Sequence, residues 1–139
     1  MSTTSGTARH PAQTLSLVIG VVYLLIGLAG FVSTGFDNFA APSDDKLLIF
    51  AVNPLHNIVH LLIGALGVSF ARTLDGARNY GMFLAVVYGL TFIYGLLTGD
   101  DASSNFLNLN GADDILHLLS ALGGVAIVMM VRRPAATGT

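Results

Sequence analysis

The polar and apolar positions of this chain alternate in long blocks. Four stretches are mainly apolar: TLSLVIGVVYLLIGLAGFV at 14–32, PLHNIVHLLIGALGVSF at Pro54–Phe70, YGMFLAVVYGLTFIYGLL at 80–97, and a last stretch at 112–131. A membrane span needs roughly 20 mainly apolar residues. The second and fourth stretches open with polar residues, so their apolar parts are short. Lipid offers backbone groups no water to bond, so each span is predicted to be a helix. The pattern predicts an all-α fold, a bundle of four transmembrane helices occupying 14–131, between flexible tails at 1–13 and 132–139.

The connections differ in kind. ARTLDGARNYG, between the second and third spans, is short and turn-rich. The connection after the first span holds LLIFAV, which is too short to cross and is expected to lie along the membrane surface or over the mouth of the bundle. The connection after the third, TGDDASSNFLNLNG, is shorter and more polar.

Composition sharpens the class. Only 10% of the 139 residues are charged and the mean hydropathy is +0.73, whereas an ordinary soluble domain carries about 25% charged residues. The expected environment is the lipid bilayer of the cell membrane. The first apolar run exceeds the usual signal-peptide core of about 7–15 residues and is read as retained. With no cysteine, disulfides, thiolate metal sites and cysteine nucleophiles are excluded. A net charge of −2 with six basic residues gives no nucleic-acid-binding stripe. No nucleophile–base pair surrounds Ser16, Ser69 or Ser120, so a non-enzymatic role is favoured.

Charge also sets direction. Arg9, Arg72, Arg78, Arg132 and Arg133 fall on the side of the termini and the middle connection, and Lys46 alone falls on the other. The positive-inside rule puts both termini in the cytoplasm.

An internal repeat is visible. NPLHNIVHLLIGALG, from Asn53, aligns without gaps on NGADDILHLLSALGG, from Asn110, at an offset of 57. Asn53 meets Asn110, His60 meets His117, and His56 and Asn57 meet Asp113 and Asp114. The first and third spans share VVY, which pairs Tyr23 with Tyr88 at an offset of 65. The alignment predicts two parallel helical-hairpin repeats, about 14–71 and 80–131, related by a pseudo-two-fold axis along the membrane normal.

The repeated stretch carries the candidate chemistry. Asn53, His56, Asn57, His60, Gly64 and Gly67 form one helix face, with Asn110, Asp113, Asp114, His117, Ala121 and Gly124 as its twin. Ionisable groups in spans usually face the bundle interior. His60 lies about 10 Å inside its helix start, at the depth expected for His117, Tyr23 and Tyr88, so a layer of these rings toward the outer leaflet is predicted. The leading reading is structural: Asn53 and Asn110 cap helices, with Asn57, Tyr23 and Tyr88 completing a polar layer that organises the core of an accessory subunit. That reading allows a second membrane protein or a second copy as partner. The alternative is a metal site in which His56, His60 and His117, helped by Asp113 or Asp114, hold a transition-metal ion. His56 and His60 stand at i and i+4, a spacing that zinc proteins use. A variant makes His60 and His117 axial ligands of a haem. A transport path is disfavoured, because the inner halves of the helices hold no charge or histidine. His10 is read as an unimportant tail residue.

On the residues Asn57, His60 and Gly64, the chain resembles a family of small four-span bacterial membrane proteins known only as a domain of unknown function, marked by Asn-x-x-His-x-x-x-Gly in the second span. The resemblance covers roughly 14–131. It implies a four-helix membrane protein and no reaction, substrate or ligand. In the fourth span Asp114, His117 and Ala121 stand at the matching positions, a departure from two-fold symmetry of the site.

Overall fold

The computed structural model describes residues 8–99 and 103–131. Four helices make the fold: α1 (Pro11–Thr34), α2 (Pro54–Phe70), α3 (Leu74–Thr98) and α4 (Gly111–Met130). A two-stranded hairpin, β1 (Lys46–Leu47) and β2 (Phe50–Ala51), stands between α1 and α2. Arg132, Arg133, the rest of the tail at 132–139 and residues 1–7 of the other tail lie outside the described residues.

The helix starts follow from local chemistry. Asn53 accepts the His56 N–H at 2.9 Å and Pro54 takes the first helical position, where a missing N–H costs nothing. Asn110 accepts the N–H groups of Ala112 and Asp113, and Asp113 returns a bond to the Asn110 N–H, a reciprocal box that satisfies orphan donors. Two starts come earlier than the apolar pattern suggested. α1 begins at Pro11, with His10 as its cap, bonding the Ala12 N–H through Nδ1. His10 is thus a capping residue rather than an idle one. α3 begins at Leu74, with Thr73 capping the Gly76 N–H. The first turns, Pro11–Gln13 and Leu74–Ala77, lie outside the apolar blocks and carry no run of large apolar residues, so hydropathy alone does not mark them. Gly35 and Gly99 end α1 and α3 at φ 57° and 48°, a conformation that glycine adopts without a Cβ penalty.

α1, α3 and α4 are long and apolar enough to cross a membrane, while α2, at 17 residues, is a shorter apolar helix. At 1.5 Å per residue the four measure about 36, 26, 38 and 30 Å in chain order. Their surfaces are arranged for lipid. The buried residues of α1 are Ala12, Ser16, Gly20, Tyr23, Gly27, Gly30 and Thr34, while Leu25, Leu28 and Val32 face outward. Small and polar side chains inside, with branched apolar ones outside, is the packing expected where lipid replaces water.

α1 packs chiefly on α2, and α3 on α4. Backbones approach closely at glycines. A Cβ built on Gly20 would lie 2.6 Å from the Val68 nitrogen, and one on Gly124 would lie 2.7 Å from the Ala85 nitrogen. Gly30 fits beneath the Asn57 side chain, and Gly95 beneath that of Asp114. Tyr80, Leu84, Ile63 and Ile127 fill the core between the pairs, and the Tyr80 hydroxyl donates to the Ile63 carbonyl at 3.2 Å.

The segment LLIFAV forms most of the β-hairpin, in register Lys46↔Ala51 and Leu47↔Phe50, with Leu48 at φ 59° in the turn. It covers the end of the bundle where α2 and α4 begin. The Ala51 N–H donates to Asp113 Oδ2 at 3.1 Å. Asn108 joins the two long connections, donating to the Ser43 and Val52 carbonyls and accepting from the Ser43 N–H. Asn53 donates to the Ala41 and Phe106 carbonyls, and Asn110 to the Ile49 carbonyl. The capping asparagines therefore also bind the roof to the helices.

Candidate functional site

Beneath this roof lies a layer of five aromatic rings. His56 occupies the first turn of α2, and His60 follows one turn later on the same face. Their Nε2 atoms are 3.1 Å apart and their ring centroids 4.3 Å apart. His117 of α4 comes to 6.0 Å from His56 between centroids. Tyr88 of α3 stacks on His117 at 5.2 Å, Tyr23 of α1 stacks on Tyr88 at 5.2 Å, and Tyr23 reaches back to His60 at 5.0 Å. The circuit closes through one or two rings from every helix. All five are buried, with the three histidines at most 2% exposed.

The three histidines can each offer a ligand nitrogen such that these atoms lie within 4.8 Å of one another. In a tetrahedral zinc site with bonds of 2.0–2.1 Å, ligand nitrogens stand about 3.3 Å apart. The 3.1 Å between His56 and His60 is near that value. The Nδ1 atoms of all three rings are buried and have no hydrogen-bond partner among the described residues, and the same holds for the Tyr88 hydroxyl. The Tyr23 hydroxyl is bonded to the Ser120 hydroxyl. A cavity of about 20 Å³ adjoins the cluster, lined by His56, His60, His117, Tyr88, Thr91 and Leu107 among others.

The carboxylates do not join the histidines. Asp113 is fully buried, but its Oδ2 is taken by the Asn110 and Ala51 N–H groups, at 2.9 and 3.1 Å, while Oδ1 has no partner. Asp114, about 100° further round the helix, lies against Gly95 in a separate pocket with Leu96, Gly99 and Asn110. Neither aspartate falls within the cluster that the three histidines form among the described residues. Asn53 and Asn110 are caps, and Asn57 donates to the Thr34 hydroxyl at 3.0 Å, tying α2 to the end of α1.

Several anchoring groups escaped the sequence reading. Ser120 is the partner of Tyr23. Ser16 donates to the Gly67 carbonyl at 3.1 Å, and Gln13 to the Ala71 carbonyl at 3.0 Å. Asn105 folds its loop by bonding both the N–H and the carbonyl of Leu109. Ser16 and Gln13 lie three residues apart on one helix face, a polar pair in an apolar helix that could have signalled them. The Asn105 contact is local but sits in a loop without periodicity.

A family model described as Domain of unknown function (DUF4383) matches residues 13–130. No curated protein and no solved structure matches the chain.

Proposed function

The chain belongs to the DUF4383 family, and from that premise we propose that it is a multi-pass membrane protein whose bundle holds a transition-metal ion on His56, His60 and His117. The observation that carries the reading is the convergence of three buried imidazoles, with one nitrogen from each within 4.8 Å of the others. Neutral imidazole is a ligand common to zinc, iron, copper and nickel. With neither aspartate among the clustered ligands, zinc and iron suit the site better than manganese, which prefers carboxylate oxygen. A haem is less suited, because a cavity of about 20 Å³ is far below the roughly 300 Å³ at which cofactor pockets begin.

In this reading the four helices, from Pro11 to Met130, form the transmembrane domain, and the preceding tail ends at the cap His10. The termini face the cytoplasm and the roofed end with its histidine layer faces outward, a direction that the arginine distribution supports. The domain is two parallel hairpin repeats. Paired contacts support the duplication: Tyr23 against His60 and Tyr88 against His117, Gly30 beneath Asn57 and Gly95 beneath Asp114. Each pair maps on the other by the offsets of 65 and 57 read from the sequence.

A second reading has its own support. Without a metal, the His56 and His60 rings hydrogen-bond each other, and the layer then pins the helices of a non-enzymatic accessory subunit. Metal analysis separates the two. Protein purified in detergent and loaded with zinc should retain roughly one ion per chain, and His117→Gln should lose it. A wild-type chain that retains no metal after loading, with unchanged stability, overturns the metal reading.

A further inference from the structure

Resting on that metal reading, we propose that the three-histidine centre keeps an open coordination position, occupied by a water or hydroxide ligand held under the Tyr88 hydroxyl. Closed structural zinc sites carry four protein ligands, whereas sites that act on exogenous ligands carry three and leave the fourth position to water. Among the described residues, the cluster of possible ligands holds three histidines and no fourth group. Asp113, one turn before His117, spends Oδ2 on two backbone N–H groups, and neither of its oxygens falls within the histidine cluster. Asp114 lies in another pocket.

The space beside the histidines has the right size. A water needs about 10–15 Å³ of room for its centre and two to four polar partners. The cavity offers about 20 Å³, enough for one water, and its remaining wall is largely apolar, with Val59, Ile63 and Val87. Tyr88 is an independent witness. Tyr88 lines the same cavity and is 2% exposed, and its hydroxyl meets no partner of good hydrogen-bond geometry among the described residues. Its neighbour Tyr23 is already bonded to Ser120. A ligand bound to the ion supplies the missing partner, and the phenol in turn orients that ligand.

Cobalt(II) is the probe, because it takes zinc-type sites and is paramagnetic. The wild-type protein in detergent is loaded with cobalt(II) and its electron paramagnetic resonance spectrum recorded in ordinary water and in ¹⁷O-enriched water. Lines broadened by ¹⁷O are expected, showing an oxygen ligand derived from solvent. Tyr88→Phe should bind cobalt as tightly, within about twofold, with a changed cobalt spectrum. Bound cobalt whose lines are not broadened overturns this inference alone and leaves the metal reading standing. A chain that takes up no cobalt overturns both. A Tyr88→Phe spectrum identical to wild type removes the phenol from the proposal.

Discussion

The Tyr23 hydroxyl of α1 meets the Ser120 hydroxyl of α4, a bond between helices that belong to different close-packed pairs. Ser120 also donates to the Leu116 carbonyl at 2.8 Å, so losing Tyr23 as partner does not strand it. Tyr23→Phe should therefore cost only about 0.5–1.5 kcal/mol, the net worth of one hydrogen bond. Tyr23→Ala should cost about 3–5 kcal/mol, by analogy with large-to-small aromatic substitutions in cores. Thermal unfolding in a fixed detergent measures both. A Phe variant as unstable as the Ala variant would mean that the hydroxyl, not the ring, holds the layer together.

The glycines make a contrasted pair of predictions. A Cβ on Gly124 would meet the Ala85 nitrogen at 2.7 Å, a side-chain carbon against backbone that cannot swing aside, so α3 and α4 must part to admit it. A Cβ on Gly89 would meet nothing within 4 Å. Gly124→Ala should destabilise by about 1–3 kcal/mol, the range of overpacking. Gly89→Ala should be neutral or stabilise by up to about 1 kcal/mol through helix propensity. Equal effects at the two positions would contradict the close approach of α3 and α4.

The roof is testable at Asn108, which sits at φ 55° and bonds Ser43 and Val52 from the opposite connection. Asn108→Ala removes those bonds and places a residue with a Cβ in the left-handed region. Asn108→Gly removes the bonds but keeps the backbone relaxed. Both should speed amide hydrogen exchange at Val52, whose N–H bonds Asp45, with Ala the more damaging. Protection at Val52 that survives in both variants would show that the β-hairpin stands without Asn108.

These contrasts indicate which parts of the fold the sequence makes legible. Lipid forces helices wherever apolar runs are long enough, and Asn53-Pro54 marks the start of α2 to the residue. The starts at Pro11 and Leu74 are hidden, because a first turn of small and mixed residues carries no strong apolar signal and shows itself only through a cap. The β-hairpin was hidden because LLIFAV is apolar without strand-like alternation, and its backbone partners come from Asp113 and Asn108, far along the chain. Of the candidate site, the i and i+4 histidines and the repeat together pointed at His56, His60 and His117. Asp114 faces Gly95 rather than the histidines, as its repeat partner Asn57 faces Gly30, since one residue turns the side chain by about 100° from Asp113.

The absence of cysteine permits a direct test of direction. Lys46→Cys places a single thiol in the roof connection, and Thr137→Cys places one in the C-terminal tail. A maleimide that cannot cross membranes should label the first in intact cells and the second only after permeabilisation, as the positive-inside rule requires for cytoplasmic termini. The reverse pattern would invert the bundle and put the histidine layer toward the cytoplasm.

The last prediction separates ligands from their neighbours on α4. Asp114→Asn gives the second hairpin the residue that the first carries at Asn57, in the same contact with a helix glycine. It keeps size and shape and removes a carboxylate that lies outside the histidine cluster. Metal content should stay within about twofold of wild type and stability within about 1 kcal/mol, as for substitutions away from a special feature. His117→Asn, three residues on, should abolish stoichiometric metal, because two imidazoles rarely hold an ion that is built for three. Elemental analysis of the two variants after identical zinc loading gives the answer. Metal lost from Asp114→Asn would bring the carboxylate back into the coordination sphere, and metal kept by His117→Asn would move the ion away from the place where α2 and α4 meet.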